Sequence, residues 1–460
     1  MSVTPTIDAS EIIERQRLNG FIVRLLLLSC AVTFFDGFDM NVIAYTATYL
    51  TDSFGLTKIQ LGNLFAAGTA GMMIGGFLFG ALGDRFGRRS MILASTISFG
   101  ILTLCLSQAQ SFGALMTLRF LNGLAIGGVL PLCWTLNIEY APARFRATVV
   151  TIAMLGYTLG SSVSAPITIW LAPHYGWQGV FVFGGIATLI VSAMLLLWLP
   201  ESIRFMINRG AAPDRIARNL RGIAPDLSVP AGARFVLADE TEHQRKSFAV
   251  AKLFEGQLAW ITLLIWAAYI ASSMAVYYKA SWTPLVLEFL GYTRTEAASF
   301  SSVSAIGSAL GGLLLMRFTD RHGPVSIATM AALGVPVLLY VGLMPTGFWS
   351  FLILNFFVNL LLGGAHYGMH SIAGLFYPST FRANGAGWAT SIAKIGSIAG
   401  PLIGGFILAS HFPVKNIFAL LAVSPAIIAA SLFTLHALRQ RAARAELPLR
   451  ADEATVVAAE

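Results

Sequence analysis

Gly80-Ala81-Leu82-Gly83-Asp84-Arg85-Phe86-Gly87-Arg88-Arg89 ends one apolar stretch and starts another, placing an acid, a glycine and three arginines in a single connection. Its centre, Asp84-Arg85-Phe86-Gly87, returns as Asp320-Arg321-His322-Gly323, an offset of 236 residues from position 84 to position 320. Phe145-Arg146-Ala147 returns as Phe381-Arg382-Ala383 at the same offset, in a different connection. Two short matches in one register imply two homologous halves.

Outward from this connection the chain is apolar in long runs. Windows of about 20 residues give twelve spans: 22–50, 58–82, 90–108, 112–138, 147–171 and 178–199, then 258–287, 295–317, 325–344, 348–373, 384–409 and 414–437. The expected fold is therefore an all-α polytopic membrane protein of twelve transmembrane helices in two six-helix, pseudo-symmetric bundles. Residues 1–21 form an N-terminal segment, 22–199 the first bundle, 200–256 a linker with one or two amphipathic helices, 257–438 the second bundle and 439–460 a tail without regular structure.

Composition agrees. The chain of 460 residues is 56% hydrophobic, its mean hydropathy is +0.73, and 11% of its residues are charged against about 25% in soluble domains. The 44 glycines suit close packing of membrane helices. Cys30, Cys105 and Cys133 all lie in apolar runs and imply neither a disulfide framework nor a metal cluster. The polar N-terminus has no cleavage site, so the first span is expected to be retained.

The net charge of +8 is topological. Lys and Arg gather in alternate connections, at Arg85, Arg88 and Arg89, at Arg144 and Arg146, from Arg204 to Lys252, at Arg317 and Arg321, at Arg382, and from Arg439 to Arg444. The positive-inside rule then places both termini and the linker in the cytoplasm and argues against nucleic acid as a partner.

Asp36 and Asp39 lie inside the first span, in Phe34-Phe35-Asp36-Gly37-Phe38-Asp39. A carboxylate at membrane depth costs roughly 2.5–3.5 kcal/mol on insertion scales, and intramembrane acids are functional by default. Three residues apart, the two share one helix face. They read either as partners of a buried base such as Arg119 or, preferably, as groups handling protons or a charged solute. At the 236-residue offset they correspond to Ser272 and Ala275, Arg119 to Asn355, and Lys394 to Thr158. The buried charge is thus asymmetric, whereas Asp84/Asp320 and Arg146/Arg382 are shared at membrane edges, as gating requires.

With these residues in view, the chain resembles the major facilitator superfamily. Gly80 to Arg89 matches that family's signature between helices two and three, and Arg119-x-x-x-Gly123-x-x-x-Gly127 matches its fourth-helix signature. More narrowly it resembles the aromatic acid:proton symporters, carriers of the 4-hydroxybenzoate, protocatechuate and benzoate type. The matching runs include Asp36-Gly37-Phe38-Asp39, Arg119-Phe120-Leu121-Asn122-Gly123, Glu139-Tyr140-Ala141-Pro142, His174-Tyr175-Gly176-Trp177, Leu199-Pro200-Glu201-Ser202, Phe376-Tyr377-Pro378, Gly387-Trp388 and Ile395-Gly396-Ser397-Ile398-x-Gly400-Pro401. The resemblance covers residues 20–440. It implies proton-driven import of an aromatic carboxylate across a bacterial inner membrane by alternating access, with non-aromatic diacids such as muconate as the alternative cargo. Two departures fall where substrate would sit. Lys394 stands where arginine is usual, and Val42-Ile43-Ala44-Tyr45-Thr46 replaces a small apolar run followed by proline.

Roles follow from residue chemistry together with that resemblance. Asp36, Asp39, Arg119 and Glu139 are the proton-coupling candidates. Arg119 stays charged and makes planar contacts to carboxylates, and it reads either as fixed to one acid or as a switchable partner of Asp36, Asp39 or Glu139. Glu139, at the cytoplasmic end of span four, suits a gate or a loop anchor better than proton passage. Lys394, a third of the way into span eleven, is the first candidate for the substrate carboxylate, with a snorkelling lysine as the alternative. Tyr45, Tyr157, Tyr277 and Trp282, with Tyr278, are candidates to sandwich an aromatic ring. His366 and His370 are candidates for hydrogen bonds to the solute, since no third ligand supports a metal. Asp84, Arg85, Gly87, Arg88, Arg89, Arg146, Asp320, Arg321 and Arg382 form the gating set. The proton gradient is the expected energy source. No cofactor is expected, the protein is not expected to be an enzyme, and a monomer in the lipid bilayer is expected. A phosphate-binding Gly-x-x-x-x-Gly-Lys-Ser/Thr loop is missing. Gly400-Pro401-x-x-Gly404-Gly405 resembles an exporter signature, but it lies in helix eleven rather than five, so uptake is favoured.

Overall fold

A computed structural model describes residues 6–16, 19–230, 233–238, 250–344, 347–377, 382–410 and 412–457, with the side chains at 147, 257, 298, 301–302, 316–317, 320–321, 370–371, 373–375, 382–384, 415 and 441–457 outside the description. The chain divides into two units, Met1–Ser247 and Phe248–Glu460.

Unit 1 holds the helices α1 (Ala9–Arg15), α2 (Gly20–Tyr45), α3 (Ala47–Phe54), α4 (Lys58–Phe86), α5 (Arg88–Leu106), α6 (Phe112–Ile126), α7 (Val129–Tyr140), α8 (Arg146–Trp198), α9 (Ile203–Asn208) and α10 (Pro213–Ile223). Helix α8 is continuous in hydrogen bonding but turns at Gly176, where φ is 66° and ψ −178°. It is two membrane helices joined by a residue in a conformation that only glycine adopts cheaply. The described part of 200–256 carries α9, α10 and a short strand. Helix α10 buries Ile216, Ala217, Leu220 and Ile223 in the same core as Leu25, Leu136 and Leu199. Strand β1 (Thr6–Asp8) pairs in parallel with β2 (Arg234–Val236).

Unit 2 holds α11 (Gln257–Phe289), α12 (Arg294–His322), α13 (Pro324–Leu343), α14 (Phe348–Phe376), α15 (Arg382–Ala409), α16 (Ile417–Leu421) and α17 (Val423–Val457). Helix α17 runs past residue 438 through a stretch expected to be irregular, because Arg441-Ala442-Ala443-Arg444-Ala445-Glu446 is rich in helix-favouring residues.

Among the described residues ten helical stretches are long and apolar enough to cross a membrane. One of them, Ala143–Trp198, contains the break at Gly176, and α12 adds a shorter apolar run, Val303–Leu315. The result is twelve crossing helices, with spans four and twelve each built from two helical pieces. Large apolar side chains point outward along them, including Leu27, Phe77, Trp170, Trp260 and Trp349, as expected where lipid is the solvent.

Glycine decides how closely these helices approach. A Cβ on Gly71, Gly75 or Gly127 would strike the backbone of Phe120, Leu124 or Met72, so α4 and α6 lie backbone against backbone. In unit 2, Gly307 and Gly311 meet the backbone of Phe356 and Leu360, and Gly363 meets Ser308. Gly160 abuts Phe34, and Gly396 abuts Ile270. Every residue of the second set lies 236 positions after its counterpart in the first. The repeat therefore extends from loop motifs to the register of helix packing, a stronger sign of duplication than either loop match.

Candidate functional site

The polar centre of unit 1 is an ion pair enclosed by apolar helix faces. Asp39 on α2 and Arg119 on α6 meet at 2.6 Å between Oδ2 and Nη1, each side chain only 3% exposed. Nη1 of Arg119 also donates to Asn122 Oδ1 at 3.0 Å, and Asn122 Nδ2 donates to Thr103 Oγ1 at 2.9 Å. The chain of bonds thus runs from α2 through α6 to α5. Gly68 on α4 makes the room, since a Cβ there would come within 2.6 Å of Arg119 Nε. Beside Asp39 lies a narrow crevice lined by Phe35, Phe38, Phe99 and Phe181. The pair is enclosed in this conformation. Asp36, one turn earlier, is fully buried.

For a buried carboxylate and guanidinium, the attraction between them is what offsets the loss of hydration. Protonating Asp39 removes one partner's charge and leaves Arg119 ready for another anion. The geometry can therefore exchange a proton for an anionic contact.

At the other end of the same helices, Arg88 is the hub of a second network. Its Nη2 lies 2.8 Å from Asp84 Oδ1 and 3.2 Å from Glu139 Oε1, and its Nη1 donates to Gly83 O at 2.9 Å. The backbone N–H of Arg89 donates to Glu201 Oε1 at 3.1 Å, and Arg89 Nη2 donates to Leu196 O at 2.7 Å. Arg209 Nη2 donates to Arg85 O at 2.6 Å. Gly87 has φ 100°, and a Cβ there would strike Glu201 Oε2. Both its conformation and the space around it call for glycine. Arg146 Nε donates to Ala141 O at 3.4 Å. The structure thus brings Glu139 to Arg88 and Asp84, and sends Arg119 to Asp39.

In unit 2, Lys394 on α15 is half-buried, and among the described residues its ammonium meets no carboxylate. Trp282 on α11 is fully buried and donates its indole N–H to Pro401 O at 2.9 Å. In this conformation it offers a solute no surface. His366 on α14 lies with Nδ1 2.8 Å from Ser272 Oγ, the hydroxyl at the position matching Asp36. Tyr45, Tyr157 and Tyr277 are half-buried. The side chains of His370, Asp320, Arg321 and Arg382 lie outside the described residues.

The family model described as Major Facilitator Superfamily matches residues 29–333 and again 266–459. The chain belongs to the Major Facilitator Superfamily. It is 31% identical over 429 residues to the gallate transporter of Pseudomonas putida, covering 93% of this chain and 94% of that relative. It is 30% identical over 427 residues to the 4-hydroxybenzoate transporter PcaK of Pseudomonas putida, covering 93% and 95%. In fold it is similar to the xylose transporter XylE from E. coli in a partially occluded inward-open conformation, with a TM-score of 0.66 at 18% identity over 89% of this chain and 98% of that one. The protein is accordingly a multi-pass membrane transporter.

Lys279 has no place among the sequence candidates, yet it is as buried as they are. It is 8% exposed on α11, and its Nζ donates to Asn359 Oδ1 on α14 at 2.6 Å. The rule that singled out Asp36 and Asp39 applies to it equally, because it is the one acidic or basic residue from Leu258 to Leu287. Matching at the 236-residue offset hides it, because its counterpart is the apolar Ile43.

Proposed function

We propose that this transporter is a proton-coupled symporter that imports an organic acid, an aromatic carboxylate such as a hydroxybenzoate, by alternating access, in a bacterial inner membrane with both termini cytoplasmic. The observation that carries the reading is the enclosed Asp39–Arg119 pair. A helical carrier has no packing use for two buried charges that a pair of leucines would serve better. An exchangeable acid bound to a fixed cation is, by contrast, what proton coupling needs. The relatives named for gallate and 4-hydroxybenzoate transport supply the solute class.

In this account Asp39 carries the coupled proton and Asp36, buried on the same helix, assists it. Arg119 is the fixed cation. Glu139, Asp84, Arg85, Gly87, Arg88 and Arg89 form a cytoplasmic latch in unit 1, with Arg146 beside it and Asp320, Arg321 and Arg382 as its repeat in unit 2. Lys394, Tyr45, Tyr157, Tyr277, Trp282, His366 and His370 contribute to solute recognition. Trp282 takes part only in a conformation that frees it from Pro401.

The test is uptake into proteoliposomes under an inward proton gradient, screening labelled benzoate, 4-hydroxybenzoate, protocatechuate, gallate and muconate. Gradient-driven accumulation of an aromatic acid is expected. Accumulation of muconate alone would move the cargo to non-aromatic diacids, and accumulation that ignores the gradient would remove proton coupling.

A further inference from the structure

The Asp39–Arg119 bridge has an echo in unit 2 that the repeat register does not predict. Asp39 and Arg119 are 80 residues apart, and so are Lys279 and Asn359. The 236-residue offset carries Asp39 to Ala275 and Arg119 to Asn355, each one helical turn before Lys279 and Asn359. The second unit therefore joins its equivalent helices by a buried polar bridge one turn further along. There the first helix contributes a base in place of an acid, and the facing helix contributes a neutral amide in place of the countercharge.

Asn359 is held firmly in that orientation. Its Nδ2 donates to Asn355 O at 2.6 Å, to Ser304 Oγ at 2.9 Å and to Asn355 Oδ1 at 3.0 Å. Ser304 in turn donates to Phe300 O at 2.8 Å. With the amide nitrogen committed, Oδ1 must face Lys279. An ammonium has three donors, and among the described residues Asn359 Oδ1 is the acceptor that Nζ reaches. Two donors of this buried cation therefore meet no acceptor among the described residues. A charge enclosed this way is costly unless an anion joins it, and Lys394, being half-buried, has the alternative of reaching water.

We propose that Lys279 is the anchor for the carboxylate of the transported acid, with Asn359, Asn355 and Ser304 as the positioning residues that aim its ammonium. The proposal rests on the organic-acid reading above and moves the main carboxylate contact from Lys394 on α15 to Lys279 on α11. A carboxylate oxygen fills the open donors that Asn359 leaves and neutralises the cation as it enters.

The test measures equilibrium binding and counterflow exchange of 4-hydroxybenzoate and gallate by the full-length protein, wild type and Lys279→Met, Asn359→Asp and Lys394→Met. Lys279→Met is expected to weaken binding by about 100-fold or more, the scale for losing one partner of a buried charge pair, with an unfolding temperature at or above wild type. Asn359→Asp supplies an internal carboxylate to the ammonium, so it is expected to abolish exchange while raising the unfolding temperature. Lys394→Met is expected to cost less than Lys279→Met. Binding by Lys279→Met within about 3-fold of wild type, under 1 kcal/mol, overturns the proposal and leaves the symporter reading standing. Should Lys279→Met not fold, full exchange by Asn359→Asp overturns it instead. A wild-type protein that exchanges neither acid overturns both.

Discussion

Asp39 and Arg119 depend on each other, because neither has another ion pair among the described residues and both side chains are buried. Arg119→Gln leaves a buried carboxylate unpaired and is expected to destabilise the protein by about 3–5 kcal/mol. Combining it with Asp39→Asn should restore most of that stability, because no unpaired charge is left behind. Chemical unfolding of the purified single and double variants checks this. Additive losses in the double variant would mean that the two side chains do not act as a pair. Gly68→Ala tests the same centre from outside, since its methyl group would have to displace the guanidinium. A cost of about 1–3 kcal/mol is expected for such overpacking.

Helices transmit what these residues do. The α4–α6 seam of unit 1 and the α12–α14 seam of unit 2 use glycines in one shared register. Gly75→Leu and Gly311→Leu are therefore expected to lower folded yield and unfolding temperature by similar amounts, which scanning fluorimetry of the two variants compares. A large loss in one and none in the other would contradict equivalent packing. The Arg88 network belongs to this scale as well, because it ties the end of α4 and the start of α5 to Glu139 on α7. If the network is the proposed latch, Arg88→Gln removes contacts that one conformation holds and another releases. It is expected to change the transport rate while equilibrium solute binding stays within about 3-fold of wild type, since a latch biases populations without touching the solute. Stopped uptake accompanied by lost binding would argue for a direct solute contact instead.

For the whole molecule, the duplicated architecture was legible in two short loop motifs, and the packing register confirms it with residues those motifs never touch, such as Gly71 and Gly307. The acids of the first helix were equally legible, because a charge in an apolar span stands out against its surroundings. Their partner was narrower to read. Sequence left Arg119 open to Asp36, Asp39 or Glu139, and only the facing of α2 and α6 selects Asp39 while Glu139 turns to Arg88. Lys279 was within reach of the same rule but hidden by an exact-offset comparison, since bridge residues one turn apart do not align. The break of α8 at Gly176 falls between 147–171 and 178–199, which the apolar windows already separate, because the polar residues around it interrupt the run.

The central claim is that Asp39 links proton movement to solute movement. Uptake by Asp39→Asn proteoliposomes tests it directly, comparing gradient-driven accumulation with gradient-free exchange of the acid that wild type carries. Asparagine keeps the shape of the side chain and cannot release a proton, so the account predicts exchange without accumulation. Accumulation by Asp39→Asn at the wild-type level would contradict it.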